Sequence, residues 1–483
     1  MKKLKNILMA FMGLSALGCG NDFLDISPTD SLGDFEVVQT EQDLNYALNG
    51  AYTYVEHYRG NTMWDGDVLG DDMMNAPGKY EMDRSYQYKN TKNSTPTGRW
   101  NNLYAAGFHV NSILEKAKNI KERTTRYDEM IAELRFIRVI IHWDAELRFG
   151  PLPTALGGKI KQDALGVMIT NKVPTDMRHT FYRDKVTDVW NFMITEMEQI
   201  VNDLPKEARN AYLSYWAGKA FMARLYLYTE NWDKALACAK DVIENGPYEL
   251  YDRSNYVTSW GETYASESIF EMPTTDSDNN GWNSLSYCAS RTGYAMVVAT
   301  KDFVALKDAD PTDVRFNVLA YRERDGLYYP EFKYPGRDGN VKVCNPKILR
   351  LSECYLIAAE AALRSTTHPD ATLGGKYLSD LRENRSLQSP RKYDGGHYTL
   401  DDVLYERRVE LWGEGHRAWD LWRNKRSVVR FTNIEEKEAK GHWCPNNAGV
   451  IAFDDYRVIW PIAIEQLDMM SPADQIAQQN PGY

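Results

Sequence analysis

Two short runs carry residue types at spacings that chemistry uses. Gly413-Glu414-Gly415-His416-Arg417-Ala418 has the glycine spacing of a dinucleotide-binding turn, where backbone meets a pyrophosphate at a helix start. That motif needs a strand before it, and Glu406 to Trp412 has helical spacing instead, so nucleotide binding is set aside. Asp276, Asp278 and Asn280, then Gly281, match the first half of a calcium loop, with oxygen ligands at alternate positions and glycine at the sixth. The twelfth position is Tyr287 rather than a bidentate glutamate, and the plainer reading is a turn of short polar residues. There is no HExxH, P-loop or GxSxG run, and the 8 histidines show no ligand spacing. With 68 Asp and Glu, a carboxylate pair at glycosidase separation has no address in sequence alone. No metal and no cofactor is expected.

The elements that would position any site read as helices separated by long loops. Residues 126–148 place Tyr127, Met130, Ile131, Leu134, Ile137 and Ile141 at helical spacing and stop at Phe149-Gly150-Pro151. Residues 185–203 do the same and stop at Pro205. Residues 214–245 read as a helix pair. Ala217, Ala220 and Ala223 lie on one helix, Glu230-Asn231 form the turn, and Ala235 and Ala239 lie on the other. Small residues at these positions let two antiparallel helices approach, as in a tetratricopeptide unit. Residues 348–385 repeat the pattern with Ala358, Ala359, Ala361 and Ala362; Arg382 and Arg385 at its end suit the helix dipole. Two stretches, 57–100 and 250–345, lack the period and are rich in Asp, Asn, Gly, Tyr and Trp. Loops that long in a compact chain are functional or poorly ordered.

Composition narrows the class. The 483 residues are 43% hydrophobic and 26% charged, enough for a large core without staples. The formal charge is −11, and setting aside Lys2, Lys3 and Lys5 leaves −14 from Cys19 onward. So negative a body disfavours nucleic acid. Lys2, Lys3 and Lys5 precede an apolar run, Ile7 to Leu17, too short to span a bilayer, then Gly18 and Cys19. Ala16-Leu17-Gly18-Cys19 resembles a bacterial lipobox, which makes residues 1–18 a signal peptide and Cys19 the lipidated first residue. The remaining cysteines are Cys238, Cys288, Cys344, Cys354 and Cys444; their odd number and unpaired spacing argue for free thiols, buried at Cys238 and Cys354.

Glu406-Arg407-Arg408-Val409-Glu410-Leu411-Trp412-Gly413-Glu414-Gly415-His416-Arg417-Ala418-Trp419-Asp420-Leu421 resembles the RR-x-EL-x-x-EG-x-R-x-x-DL segment of the SusD/RagB family of outer-membrane nutrient-binding lipoproteins. Further similar pieces lie in order: Asp22-Phe23-Leu24-Asp25 and Pro28 after Cys19, Leu48 to Tyr52, Trp100 with Leu103, Tyr104 and Asn111, and Ala132 to Arg138 with Phe149 to Pro153. Val458 to Ile462 and the terminal Asn480-Pro481-Gly482-Tyr483 complete the set. The opposite charges of the 406–421 run are expected to form ion pairs at helix junctions, with Trp412, Trp419 and Trp422 packed beside them, a role in the fold rather than in ligand contact.

The resemblance implies a mainly α fold, a tetratricopeptide-like helical-repeat scaffold with long loop-rich insertions and a few short strands. Residues 19–483 would form one domain, with scaffold at about 35–250 and 346–483 and insertions at about 57–100 and 250–345. It implies a surface lipoprotein, not an enzyme, that binds a nutrient oligosaccharide and delivers it to a SusC-type TonB-dependent transporter. The alternatives are a peptide ligand, a scaffold that binds only proteins, or a helical glycan hydrolase. Sugars need a stacking ring beside amide, carboxylate and guanidinium partners. On that ground the candidates are Trp64, Asp67, Asp72, Arg84, Tyr86 and Tyr88 in the first insertion, and Asn280, Trp282, Tyr287, Arg291 and Tyr294 in the second. Trp100 is read as structural.

Overall fold

The computed structural model describes residues 38–95, 97–174, 182–388 and 391–483, with the backbone alone at 97 and 98. Cys19 and the expected signal peptide lie outside the described residues.

The longer helices are α1 (Glu41–Tyr52), α2 (Thr97–Ala117), α3 (Thr125–Phe149), α4 (Val186–Ile200), α5 (Tyr215–Tyr228), α6 (Trp232–Asn245), α7 (Lys301–Ala309), α8 (Leu351–Arg364), α9 (Ala371–Glu383), α10 (Leu400–Glu410) and α11 (Arg417–Arg423). Their starts are set locally. Thr40 caps α1 by accepting from the Asp43 N–H at 3.2 Å, while the Asp43 carboxylate accepts from the Thr40 N–H at 2.9 Å. Ser214 caps α5 by accepting from the Ala217 N–H at 3.3 Å. The expected helix pairs form: α5 packs on α6, and α8 on α9. Ala217, Ala223, Ala235 and Ala239 are fully buried between the first pair. Side chains this small let the two backbones close together. Helix α6 also packs against α8, so the two hairpins stack although the second insertion separates them in sequence. Helices α1, α2 and α4 pack on α3.

The strands are short: β1 (Met73–Asn75), β2 (Ser268–Glu271), β3 (Val297–Ala299), β4 (Ala320–Arg322), β5 (Leu327–Tyr329) and β6 (Lys347–Arg350). β1 pairs antiparallel with β3, Met73 opposite Ala299, which ties the two insertions together; β2 pairs with β6, and β4 with β5 as a hairpin. Lys347–Arg350 is therefore strand where the helical pattern was expected to begin. The five cysteines from Cys238 to Cys444 are free and buried.

Arg382 lies in the last turn of α9, where a cation suits the helix dipole, and Arg385 just beyond it, and both also enter buried ion pairs. Arg382 pairs with Asp310, Asp313 (3.0 Å) and Glu406 (3.4 Å), and Arg385 with Glu267 and Glu410 (2.9 Å), all buried. The sequence places these partners far apart, and only the packed helices bring them together.

Candidate ligand-binding site

The first insertion is largely core. Trp64, Asp67, Asp72, Tyr86 and Tyr88 are buried, so these five candidates are corrected from ligand contacts to scaffold. Each has a partner that explains its burial. Trp64 meets Tyr334 edge to face, with centroids 5.9 Å apart. The Tyr86 hydroxyl sits 2.9 Å from His442 Nδ1, and the Arg430 guanidinium lies over its ring at 4.6 Å. That guanidinium also donates to the carbonyls of Gly70 and Val68 at 2.8 and 2.7 Å and lies 5.1 Å over Tyr88. Tyr88 donates to the Leu69 carbonyl.

Asp67 and Asp72 hold the 406–421 segment. Asp67 Oδ2 accepts from the Gly415 N–H at 2.6 Å, and burial pushes its carboxyl up to about 8. Asp72 takes Arg408 Nε on both oxygens at 2.9 Å, and its backbone carbonyl accepts from Trp412 Nε1 at 3.2 Å. Arg417 spans Asp71 at 2.6 Å and Asp72 at 3.0 Å. Deeper in, Glu410 and Glu414 face Arg350 at 3.0 and 2.7 Å, and Arg407 and Arg423 share Asp420 at 2.8 and 2.9 Å. The run is an ion-pair network, as expected. Its two glycines answer to the chain's own turn: Gly413 and Gly415 have φ of +81° and +83°, between α10 and α11.

The second insertion supplies an exposed ring, Trp282, with half-buried tyrosines near it in the chain. Gly281, at φ +56°, begins a turn (Gly281–Asn283) that leaves Trp282 66% exposed. The Ser284 hydroxyl then caps the short helix Leu285–Ala289 and holds Tyr287 beside Trp282, rings 5.0 Å apart at 72°. The Tyr294 N–H donates to the Tyr287 carbonyl at 2.9 Å, which ties Tyr294 to this helix through the backbone, its ring half-buried. Lys342 Nζ lies 3.5 Å over Trp282, and Lys79 Nζ 4.1 Å over Tyr294. The Tyr294 hydroxyl donates to Glu81, and this hydrogen bond leads the influences that push it up to about 12.

Of the remaining candidates, Arg84 and Asn280 are exposed, and Asn280 donates to the Asn283 carbonyl at 3.2 Å within the turn. Arg291 is half committed: its Nε pairs with Glu331 at 3.2 Å and it donates to the Tyr321 carbonyl at 2.7 Å. The two insertions therefore converge here, pinned by β1–β3 and by Arg59, which donates to Asp278 at 2.8 and 3.2 Å. Asp276 accepts from Asn340 at 2.8 Å. Both Asp278 carboxylate oxygens and one of Asp276 are thus engaged by protein donors, and the run forms a turn. Among the described residues no cluster of three His, Cys, Asp or Glu is arranged to hold a metal.

Sequence reasoning missed Tyr80, which is 78% exposed in the first insertion, and the exposed Tyr321 and Phe332 beside Arg291. A signal existed for Tyr80, which follows the Pro77-Gly78 turn, but not for the cations Lys342 and Lys79 that cover one face of each ring.

Two family models match the chain. One is described as SusD family, over residues 320–483; the other as starch-binding associating with outer membrane, over residues 22–227. SusD-like protein P25 of Formosa agariphila is 21% identical over 100% of both chains. A SusD superfamily protein of Bacteroides thetaiotaomicron, 28% identical, superposes with a TM-score of 0.80 over 92% of this chain and 100% of that one. Surface glycan-binding protein A of Bacteroides uniformis, 19% identical, superposes with a TM-score of 0.68 over 91% and 99%. No helix among the described residues is long and apolar enough to cross a membrane.

Proposed function

The chain belongs to the SusD/RagB family, and from that premise we propose that it is an outer-membrane lipoprotein that captures an oligosaccharide without catalysis and passes it to a SusC-type TonB-dependent transporter. Residues 19–483 act as one domain, anchored through lipid on Cys19. The observation that carries the reading is the exposed Trp282 ring with the half-buried Tyr287 ring set against it. A large ring left in water offers the apolar C–H face of a pyranose a platform, and Asn280 and Arg84 stand within the same two insertions to meet its hydroxyls. The starch-binding family that matches residues 22–227 and the glycan-binding neighbour of Bacteroides uniformis support the same reading.

A capture site that hands its cargo on has to release it, so a dissociation constant from about 10 μM to about 1 mM is expected, roughly −7 to −4 kcal/mol. Screening the purified protein against a glycan panel and a peptide panel, then titrating the best ligand into Trp282→Ala, tests the assignment. Loss of one stacked ring should weaken binding about tenfold, on the order of 1–2 kcal/mol. Unchanged affinity removes Trp282 from the site, and retention of peptides with no glycan overturns the ligand class. For the anchor, mass spectrometry of membrane-derived protein should show acylated Cys19, and Cys19→Ala should move the protein to the soluble fraction.

A further inference from the structure

A second cleft, of about 450 Å³, opens between the end of α1 with its following turn (Thr53–Arg59), the first turns of α2 and the C-terminal half of α3. It shares no lining residue with the Trp282 face. Its volume falls within the range that holds small ligands.

The polar groups at its wall are arranged with acceptors behind and donors in front. Asp144 is buried, and its oxygens accept from His57 Nε2 at 2.7 Å and the Tyr58 hydroxyl at 2.6 Å. Asp65 is buried too, and its Oδ2 accepts from Arg148 Nε at 2.8 Å and from Arg99 Nη1. The carboxylates are thus spent. Arg99 gives only Nη1 to the protein among the described residues, so Nε and Nη2 remain as donors on a side chain one-fifth exposed. Arg99 also sits in the first turn of α2, where unpaired backbone N–H groups and the helix dipole favour negative charge. The exposed Asn102 amide lies one turn further along the same helix. Tyr54 and His109 line the same cleft and stack on each other, centroids 5.7 Å apart and 13° from parallel, which leaves the outer faces of the pair to a ligand ring.

We propose that this cleft is a second binding site, for an acidic sugar unit whose carboxylate meets Arg99 and Asn102 and whose ring lies against Tyr54 and His109. The chemistry is specific. Two of the guanidinium's three nitrogens suit a carboxylate in a forked pairing, and the whole body is negative, so an anion is held here only by local donors.

The test uses the mature protein with glucuronate and glucose at up to tens of millimolar, followed by saturation-transfer NMR and calorimetry. Glucuronate should bind in the millimolar range and glucose at least tenfold more weakly. Asn102→Asp, an exposed change that puts like charge at the mouth, should weaken glucuronate at least tenfold with an unchanged melting temperature. His109→Ala should weaken it several-fold, and Trp282→Ala should leave it unchanged, which separates this site from the one above. No glucuronate binding by the wild type, equal affinity for glucose, or loss on Trp282→Ala without loss on Asn102→Asp would each overturn the proposal.

Discussion

Replacing Arg417 by alanine measures what the 406–421 segment does. The guanidinium bridges Asp71 at 2.6 Å and Asp72 at 3.0 Å, and its side chain is 12% exposed. Burial alone would lower its pKa, but the two carboxylates outweigh that and raise it. Truncation strands the two acids unequally. Asp72 keeps all three of its hydrogen bonds from Arg408, whereas no other ion pair reaches Asp71 among the described residues. A fully buried pair broken on one side costs about 3–5 kcal/mol, and an exposed pair about 0–1 kcal/mol. Asp71 is 13% exposed, so water recovers part of its solvation and about 2–3 kcal/mol is expected. Unfolding entropy near 2.1 cal/mol/K per residue makes one degree worth roughly 1 kcal/mol in a chain this long, so the melting temperature should fall only about 2–3 °C. Urea unfolding gives the better reading of the free energy. Glycan affinity should stay within about twofold. In an Asp71→Asn background the same truncation should cost less than half as much, because the stranded charge is gone. Additive costs in that cycle, or an unchanged stability with lost glycan binding, would refute the reasoning and move Arg417 into the ligand site.

Asp67 makes a pH-dependent prediction. Its carboxyl is held up at about 8 by burial, against about 4 unfolded, so the folded form keeps a proton that the unfolded form gives up as pH rises. Its contribution is fully present below pH 4 and is lost as pH rises to 8; by pH 7 the loss is at most on the order of 4 kcal/mol. Asp67→Asn keeps an oxygen for the Gly415 N–H and should raise stability at pH 8 but not at pH 4, read by urea unfolding at both; equal effects would exclude the titration. Gly66→Ala should destabilise by about 3 kcal/mol, since its Cβ would lie 2.1 Å from the Gly415 carbonyl oxygen. Gly50→Ala, inside α1 with open space around it, should instead stabilise by about 0.5–1 kcal/mol in the same assay.

The helix pairs were legible because their information is local. Alanines at helical spacing across a short turn report a close approach whatever the rest of the chain does, and α5–α6 and α8–α9 follow. Trp282 was legible for a similar reason: an Asn-Gly turn puts its second neighbour outward. The five misassigned residues had composition without partners. Asp72 looks like a ligand group until Arg408 is seen beside it, 336 residues away, and Tyr86 until His442 is seen, 356 away. Nothing in a single sequence states those pairings. The Tyr54–Arg99–His109 cleft was invisible for the same reason, since its walls come from separate helices with no shared spacing.

The placement of that charge bears on how the Trp282 face is held. Glu267, Asp313, Arg315 and Lys333 come from the second insertion, and Arg350, Glu406, Glu410 and Glu414 from the scaffold that follows it. These groups are nearly without exposure. Desolvating so many charges offsets much of their mutual attraction, so the network is a poor source of net stability. Its effect is on alternatives. A slip of the insertion against α10 would strand several buried ions at once, each at a cost of a few kcal/mol, whereas a slip over an apolar surface would exchange one contact for another. The penalty that the Arg417 cycle measures for one pair therefore applies several times over to misdocking of the insertion. A loop-built aromatic site needs such a constraint, because the ring spacing that a sugar reads is set by the backbone beneath it, and the backbone at 281–294 has only one helical turn, Gly281–Asn283, and one short helix, Leu285–Ala289.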